Sequence, residues 1–232
     1  MNATTPAVRP SRATLYLRLG RVSNLPTVWS NVLCGAVLGG GTIAPASVVP
    51  TALAMSLYYV GGMYLNDAFD RRFDAATRPE RPIPAGHVSA REVFAIGFGL
   101  LAAATGVLAV LAYLGRAEPG AVLAGILLAG TIVLYDVWHK QNPLSPLVMG
   151  LCRVLVYVGA ALATKGALGS SIGAGSAVLL GYLIGLTYVA KQETLTEVKS
   201  LWPLAFLAAP VVYPVARGLL GPAVLVALAL LS

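Results

Sequence analysis

Seven stretches of this 232-residue chain, near 26–45, 47–66, 92–113, 119–137, 144–163, 172–190 and 201–217, run on in apolar residues with very few charges. Roughly 20 such residues in a helix cross a hydrocarbon core about 30 Å thick. In that solvent every backbone N–H and C=O must find its partner within the segment, which a helix provides. The expected fold class is therefore all-α, a polytopic transmembrane helical bundle with seven to eight visible helices forming one domain over 1–232. With 57% hydrophobic and 11% charged residues, the chain is too apolar for a water-soluble domain of this length. An eighth apolar segment, 222–232, is too short to span, so the chain either ends in a half-helix or lacks a C-terminal part.

Residues 1–20 carry Arg9, Arg12 and Arg18 without an apolar run of their own. They read as a cytoplasmic tail, disordered or lying on the membrane interface, rather than a cleaved signal. Twelve Lys and Arg fall in the tail and the loops on its side; Arg116, Lys165 and Arg217 occupy the opposite side, and Arg153 lies inside a span. The positive-inside rule then places the N-terminus and the loops after the second, fourth and sixth spans in the cytoplasm. Cys34 and Cys152 both fall within spans and read as small packing side chains. Nothing marks a nucleic-acid partner.

The second span runs straight into Asn66-Asp-Ala-Phe-Asp-Arg-Arg-Phe-Asp74, which holds three of the chain's four aspartates. At helical spacing Asn66, Asp67, Asp70 and Asp74 lie within an arc of about 100°, so they are expected to converge on one point. Carboxylates that close repel unless a cation lies between them. A sparse set of hard oxygen ligands suits Mg²⁺, which keeps waters and commonly bridges to a substrate phosphate. Downstream, three prolines and a glycine between Thr77 and Ser89 preclude a helix and leave Arg78 and Arg81 on a stiff loop beside the acids. Two guanidiniums there suit diphosphate oxygens; the alternative is that they obey the positive-inside rule or contact anionic lipid. Arg153, a cation inside a span, is expected to face a cavity.

NDAFDRRFD matches the NDxxDxxxD motif of the UbiA superfamily of intramembrane prenyltransferases, and Arg78-Pro-Glu-Arg-Pro-Ile-Pro-Ala-Gly-His-Val-Ser89 resembles its RPxRPIPxGxxS continuation. More loosely, Arg21-Val-Ser-Asn24 is similar to the family's RxxN entry to the first helix, and Tyr135-Asp-Val-Trp-His-Lys140 to its YxxxxK segment. The resemblance implies a bundle of about nine helices around a lipid-open pocket. It also implies two acidic motifs that bind a prenyl diphosphate donor through Mg²⁺, and capture of the allylic cation by a small acceptor. On that pattern Asp67, Asp70, Asp74, Arg78 and Lys140 are the catalytic candidates. Arg21, Asn66, Arg78, Arg81, Lys140 and Arg153 are candidates for holding the diphosphate, and Asn66, Asp67, Asp70 and Asp74 for the metal.

The family's second motif is usually DxxxD, and here the equivalent place reads Lys191-Gln-Glu193-Thr-Leu-Thr-Glu197. Glu193 and Glu197, four apart and on one helix face, are the candidates for a second metal site; the alternative is a pair of solvated charges beside Lys191 or Lys199. The acceptor implied is an aromatic ring such as a hydroxybenzoate or naphthoate. The YDxWHK and KQExxxE departures also resemble a bacterial branch, EboC-like, whose acceptor would be a polyol, with a bacterial inner membrane as the location. Membrane lipid is the surrounding partner, and the oligomeric state is left open. A transporter would want its carboxylates near the midplane on broken helices. A non-catalytic relative would keep the fold and lose the second acidic pair. His87 and His139, without zinc spacing, read as bland, as do the span tyrosines.

Overall fold

The computed structural model describes residues 11–140, 142–192 and 206–216, and all regular structure among them is helical. Of the basic tail, the described part from Ser11 onward is helical. It forms α1, Arg12–Leu19, capped where the Ser11 hydroxyl accepts from the Thr14 N–H at 3.2 Å. Leu15 and Leu19 are buried against Tyr64, Ala68, Val88 and Val93, so this short amphipathic helix lies on the bundle. The Tyr64 hydroxyl donates to the Tyr16 carbonyl at 3.0 Å.

Arg21 then takes a left-handed conformation, φ 44° and ψ 45°, before a 3₁₀ turn at Val22–Asn24. α2 spans Leu25–Leu38, ending seven residues before the apolar run does. At about 21 Å it is shorter than a full crossing. Gly40, at φ +65°, turns the chain: Gly40 N–H bonds to the Val37 carbonyl and Gly41 N–H to Ala36, closing the helix in the Schellman pattern.

α3 differs most from expectation. It runs from Pro45 to Thr77, 33 residues, or about 50 Å. That exceeds the hydrocarbon thickness, so the acidic segment, expected at helical spacing, is the projecting end of this helix. The proline-rich stretch follows as irregular backbone with Gly86 at φ +72°. α4, Ala90–Tyr113, starts where the Ser89 hydroxyl accepts the Glu92 N–H at 3.1 Å. α5 is Gly120–Trp138, α6 Ser145–Ala163, α7 Ser170–Gln192 and α8 Ala209–Ala216. The expected spans at 92–113, 119–137, 144–163 and 172–190 thus correspond to α4 to α7. Of the 201–217 run, only the part holding α8 is described, and 222–232 lies outside the described residues.

Five of these helices, α3 to α7, are long and apolar enough to cross a membrane. The chain is an integral membrane protein. Leu123, Ile126, Leu127 and Leu134 on α5 are exposed, as side chains facing lipid are. Inside, Val28, Val32, Met55, Tyr58, Leu65, Leu108 and Leu128 form the core. α3 packs on α4, α5 on α6, and α6 on α2 and α7. Small residues permit the close crossings. A Cβ on Gly97 of α4 would stand 2.7 Å from Leu65 Cγ of α3, and one on Gly35 of α2 would meet the Tyr157 backbone of α6 at 2.5 Å.

Candidate active site

The last turns of α3 carry the acids into a ring of cations drawn from three other segments. Arg81, from the proline-rich loop, places Nη1 2.9 Å from Asp74 Oδ2 and 3.2 Å from Asp67 Oδ1. Arg21, from the left-handed turn before α2, reaches the same Asp67 oxygen at 3.4 Å. Lys140, just beyond the end of α5, sits 3.0 Å from Asp70 Oδ2, with His139 Nε2 at 3.5 Å. Its ammonium also lies 3.9 Å from the centre of the Phe73 ring, a cation–π contact. Asp70 and Asp74 are buried and Asp67 nearly so. Carboxylates in such surroundings are tolerated when paired.

The expected convergence of four oxygen ligands on one point is not realised. Among the described residues no three His, Cys, Asp or Glu side chains are grouped to hold one ion. The arc argument counted rotation and ignored rise: from Asn66 to Asp74 a helix climbs about 12 Å. One helix therefore lays its acids out as a ladder, each rung neutralised by a basic side chain. The Asn66 amide does not join the carboxylates either; its Nδ2 donates to Asp136 Oδ1 at 3.2 Å.

The ladder still suits a hard cation. Its donors are all oxygen, and Asp74 Oδ1 is buried without a hydrogen-bond partner, the kind of atom a ligand would satisfy. Because Asn66 turns its NH₂ toward Asp136, its carbonyl oxygen remains free to accept. Lys140 and Arg21 are 38% and 40% exposed, so an anion can approach them from the solvent side.

Beside the ladder opens a cavity of about 400 Å³, walled by apolar residues of α2, α3, α5, α6 and α7 and bearing Arg21, Asn66, Asp136 and Arg153 at polar points. Arg153 lines it as expected of a cation inside a span and makes no ion pair with Asp136. Tyr58 and Tyr59 also line it, and the Tyr58 hydroxyl is satisfied by Thr105 at 2.8 Å. A second cavity of about 380 Å³, on the α1 side, is bordered by Arg18, Arg21, Asp67 and Arg81. Arg21 is common to both, so the anionic ladder sits where an apolar pocket meets a polar one.

Among the described residues one candidate is not brought in. Arg78 caps the end of α3 and is exposed, while Arg81, one turn of loop later, folds back to Asp67 and Asp74. Glu193 and Glu197 lie outside the described residues. His139, read as bland, stands beside Asp70, and Asp136, given no role above, lines the cavity. Counted from Asp136, His139 and Lys140 stand at i+3 and i+4, one helical face. That spacing was visible, and it makes Lys140's neighbours as relevant as Lys140.

With the fold and this geometry in place, the comparisons are consistent. The chain belongs to the UbiA prenyltransferase family, whose sequence pattern matches residues 25–232. It is 30% identical over 189 residues to digeranylgeranylglyceryl phosphate synthase of Halobacterium salinarum, covering 80% of this chain and 63% of that one. Among solved structures, a UbiA homologue from Aeropyrum pernix superposes with a TM-score of 0.67 at 22% identity, over 88% of this chain and 83% of that one. A UbiA homologue from Archaeoglobus fulgidus bound to DMAPP and Mg²⁺ superposes with a TM-score of 0.60 at 16% identity, over 74% and 62%. These structural likenesses bear on the fold alone. The chain spans from about a quarter to just under two thirds of the length of the curated relatives it matches.

Proposed function

We propose that the protein is a membrane prenyltransferase that moves an isoprenyl group from a prenyl diphosphate to a small acceptor, aromatic or polyol, with Mg²⁺. The observation that carries this is the junction itself: an acid ladder, interleaved with partly exposed cations, at the mouth of an apolar cavity large enough for part of a prenyl tail. The Archaeoglobus homologue's diphosphate and Mg²⁺ support the choice of ligand. On this reading Asn66, Asp67, Asp70 and Asp74 hold metal, with Glu193 and Glu197 as the second acidic element. Arg21, Arg81 and Lys140 leave their carboxylates for the diphosphate. Arg78, exposed at the end of α3, would have to turn toward it, and Arg153 faces it across the cavity. Mg²⁺, when bound, supplies charge neutralisation at the leaving group.

The chain's own residues supply the rest. Fixed cations are aimed at where negative charge grows as the allylic C–O bond ionises, which is worth most in a water-poor site. The cavity keeps water from the cation, and no covalent nucleophile is required. The twelve-to-three bias of basic residues supports a cytoplasmic site and N-terminus; assignment to a bacterial inner membrane rests on the YDxWHK resemblance alone.

The test is pyrophosphate release from farnesyl or geranylgeranyl diphosphate with Mg²⁺ and an acceptor panel. Asp70→Ala should lose about 10²–10³-fold in rate, the scale seen when one group stabilising transition-state charge is removed. Glu193→Gln should lose activity while the fold is retained. Equal release from wild type and Asp70→Ala, or none with any donor, refutes the enzyme reading; normal turnover by Glu193→Gln returns the glutamates to solvated charges.

A further inference from the structure

Among the described residues Asp136 is the one acid that lines the cavity, and it makes no ion pair. It is 4% exposed. One oxygen, Oδ1, accepts from the Asn66 amide at 3.2 Å, while Oδ2 is buried with no hydrogen-bond partner. A buried carboxylate oxygen without a donor costs roughly 1–3 kcal/mol or more, so a group that donates to it is the natural complement of this surface.

Where that oxygen stands decides what the donor belongs to. Down α5 from the cytoplasm the order is Lys140, Asp136, Ile132, Leu128: the ion pair with Asp70, the half-satisfied acid, then apolar cavity wall. On α3 it is Asp70, Asn66, Tyr59. Between α3 and α5 the Asn66–Asp136 contact is thus the innermost side-chain hydrogen bond among the described residues, about one helical turn inside the ion pair, with Arg153 of α6 as a further polar point of the cavity. In a prenyl diphosphate the bond that breaks joins the anionic end to the first hydrocarbon carbon, so it lies at this same boundary. Whatever donates to Asp136 Oδ2 is therefore next to the reacting carbon.

We propose that Asp136 selects the acceptor: its free oxygen accepts a hydrogen bond from a hydroxyl group of the molecule that receives the prenyl group, holding that group at the boundary rung. The inference rests on the prenyltransferase reading and adds to it the acceptor's recognition element, a hydroxyl on a small molecule. Asp136 acts here as a hydrogen-bond acceptor that reads the hydroxyl. A pocket built to bond a hydroxyl rejects the analogue without it far more strongly than an apolar pocket discriminates by size.

The test uses the full chain in detergent micelles, titrated first with a thiolodiphosphate analogue of geranylgeranyl diphosphate and Mg²⁺. It is then titrated with matched pairs, 4-hydroxybenzoate against 4-methoxybenzoate, and glycerol 1-phosphate against its methyl ethers. In at least one pair, wild type should bind the hydroxyl member about tenfold or more tightly than the ether. Asp136→Leu should bind the two alike, and Asp136→Asn, which keeps an acceptor oxygen of the same size, should keep part of the discrimination. If the donor analogue binds but both members of every pair bind equally or not at all, or if Asp136→Leu discriminates as wild type does, this inference is overturned and the donor reading stands. If the donor analogue does not bind wild type, both fall. Should Asp136→Leu fail to fold, Asp136→Asn decides: discrimination unchanged from wild type overturns the proposal, and partial discrimination sustains it.

Discussion

Replacing Arg81 with Met removes the one described side chain that bridges two rungs of the ladder. Its Nη1 serves Asp67 Oδ1 and Asp74 Oδ2 together. Without it Asp74, whose other oxygen already lacks a partner, would be a buried carboxylate with no hydrogen bond from any described side chain. Asp67 would keep Arg21 at 3.4 Å. Removing one partner of a fully buried pair costs ~3–5 kcal/mol. Arg81 is 24% exposed and Asp74 2%, so water relieves part of this and a loss of about 2–4 kcal/mol is expected. The assay is equilibrium unfolding in mixed micelles by titration with denaturing detergent, followed by circular dichroism. Asp74→Asn in the Arg81→Met background should recover most of the loss, because the stranded charge is gone. Millimolar Mg²⁺ should stabilise Arg81→Met more than wild type, since a divalent cation can stand in for the guanidinium. A loss below about 0.5 kcal/mol, within the range of an ordinary surface change, would refute the reasoning, as would a double variant no more stable than the single one.

Two further outcomes follow from the geometry. Gly97→Leu should cost about 1–3 kcal/mol or more in the same titration, because a Cβ there already meets Leu65 Cγ at 2.7 Å and α3 would be pushed off α4; Gly99→Leu, whose Cβ meets nothing within 4 Å, is the control and should be near neutral. Lys140→Met should weaken binding of the donor analogue about tenfold, one lost charge-assisted contact's worth, while Lys140→Arg recovers part of it; unchanged affinity in Lys140→Met would remove Lys140 from the site.

The helices and the basic asymmetry were legible because membrane solvent imposes them locally: a run of apolar residues has no other way to satisfy its backbone. Errors fell where local rules compete. The run at 26–45 looked like a full span, but Gly39, Gly40 and Gly41 supply the turn that stops α2 at Leu38. The span at 47–66 looked finished at its first charges. α3 instead continues to Thr77, because a helix end that projects into water tolerates charge. Its next residue, Arg78, precedes proline, which disfavours the helical conformation.

In the candidate site, the residue types and their helix face came from sequence alone. NDAFDRRFD on one face, arginines on a proline-stiffened loop and a lysine at the end of a span were all readable, since each depends on neighbours within one segment. Which cation meets which acid was decided by tertiary packing. Arg81 rather than Arg78 folds back to the ladder, Lys140 and His139 arrive from α5, and Arg21 reaches Asp67 across 46 positions. Asp136, a helix-end charge in one dimension, becomes a wall of the cavity only because α5 lies against α3. Solvent and helical period act on each segment separately, whereas a charge buried in the bundle takes its role from whatever the other helices bring within about 3 Å of it.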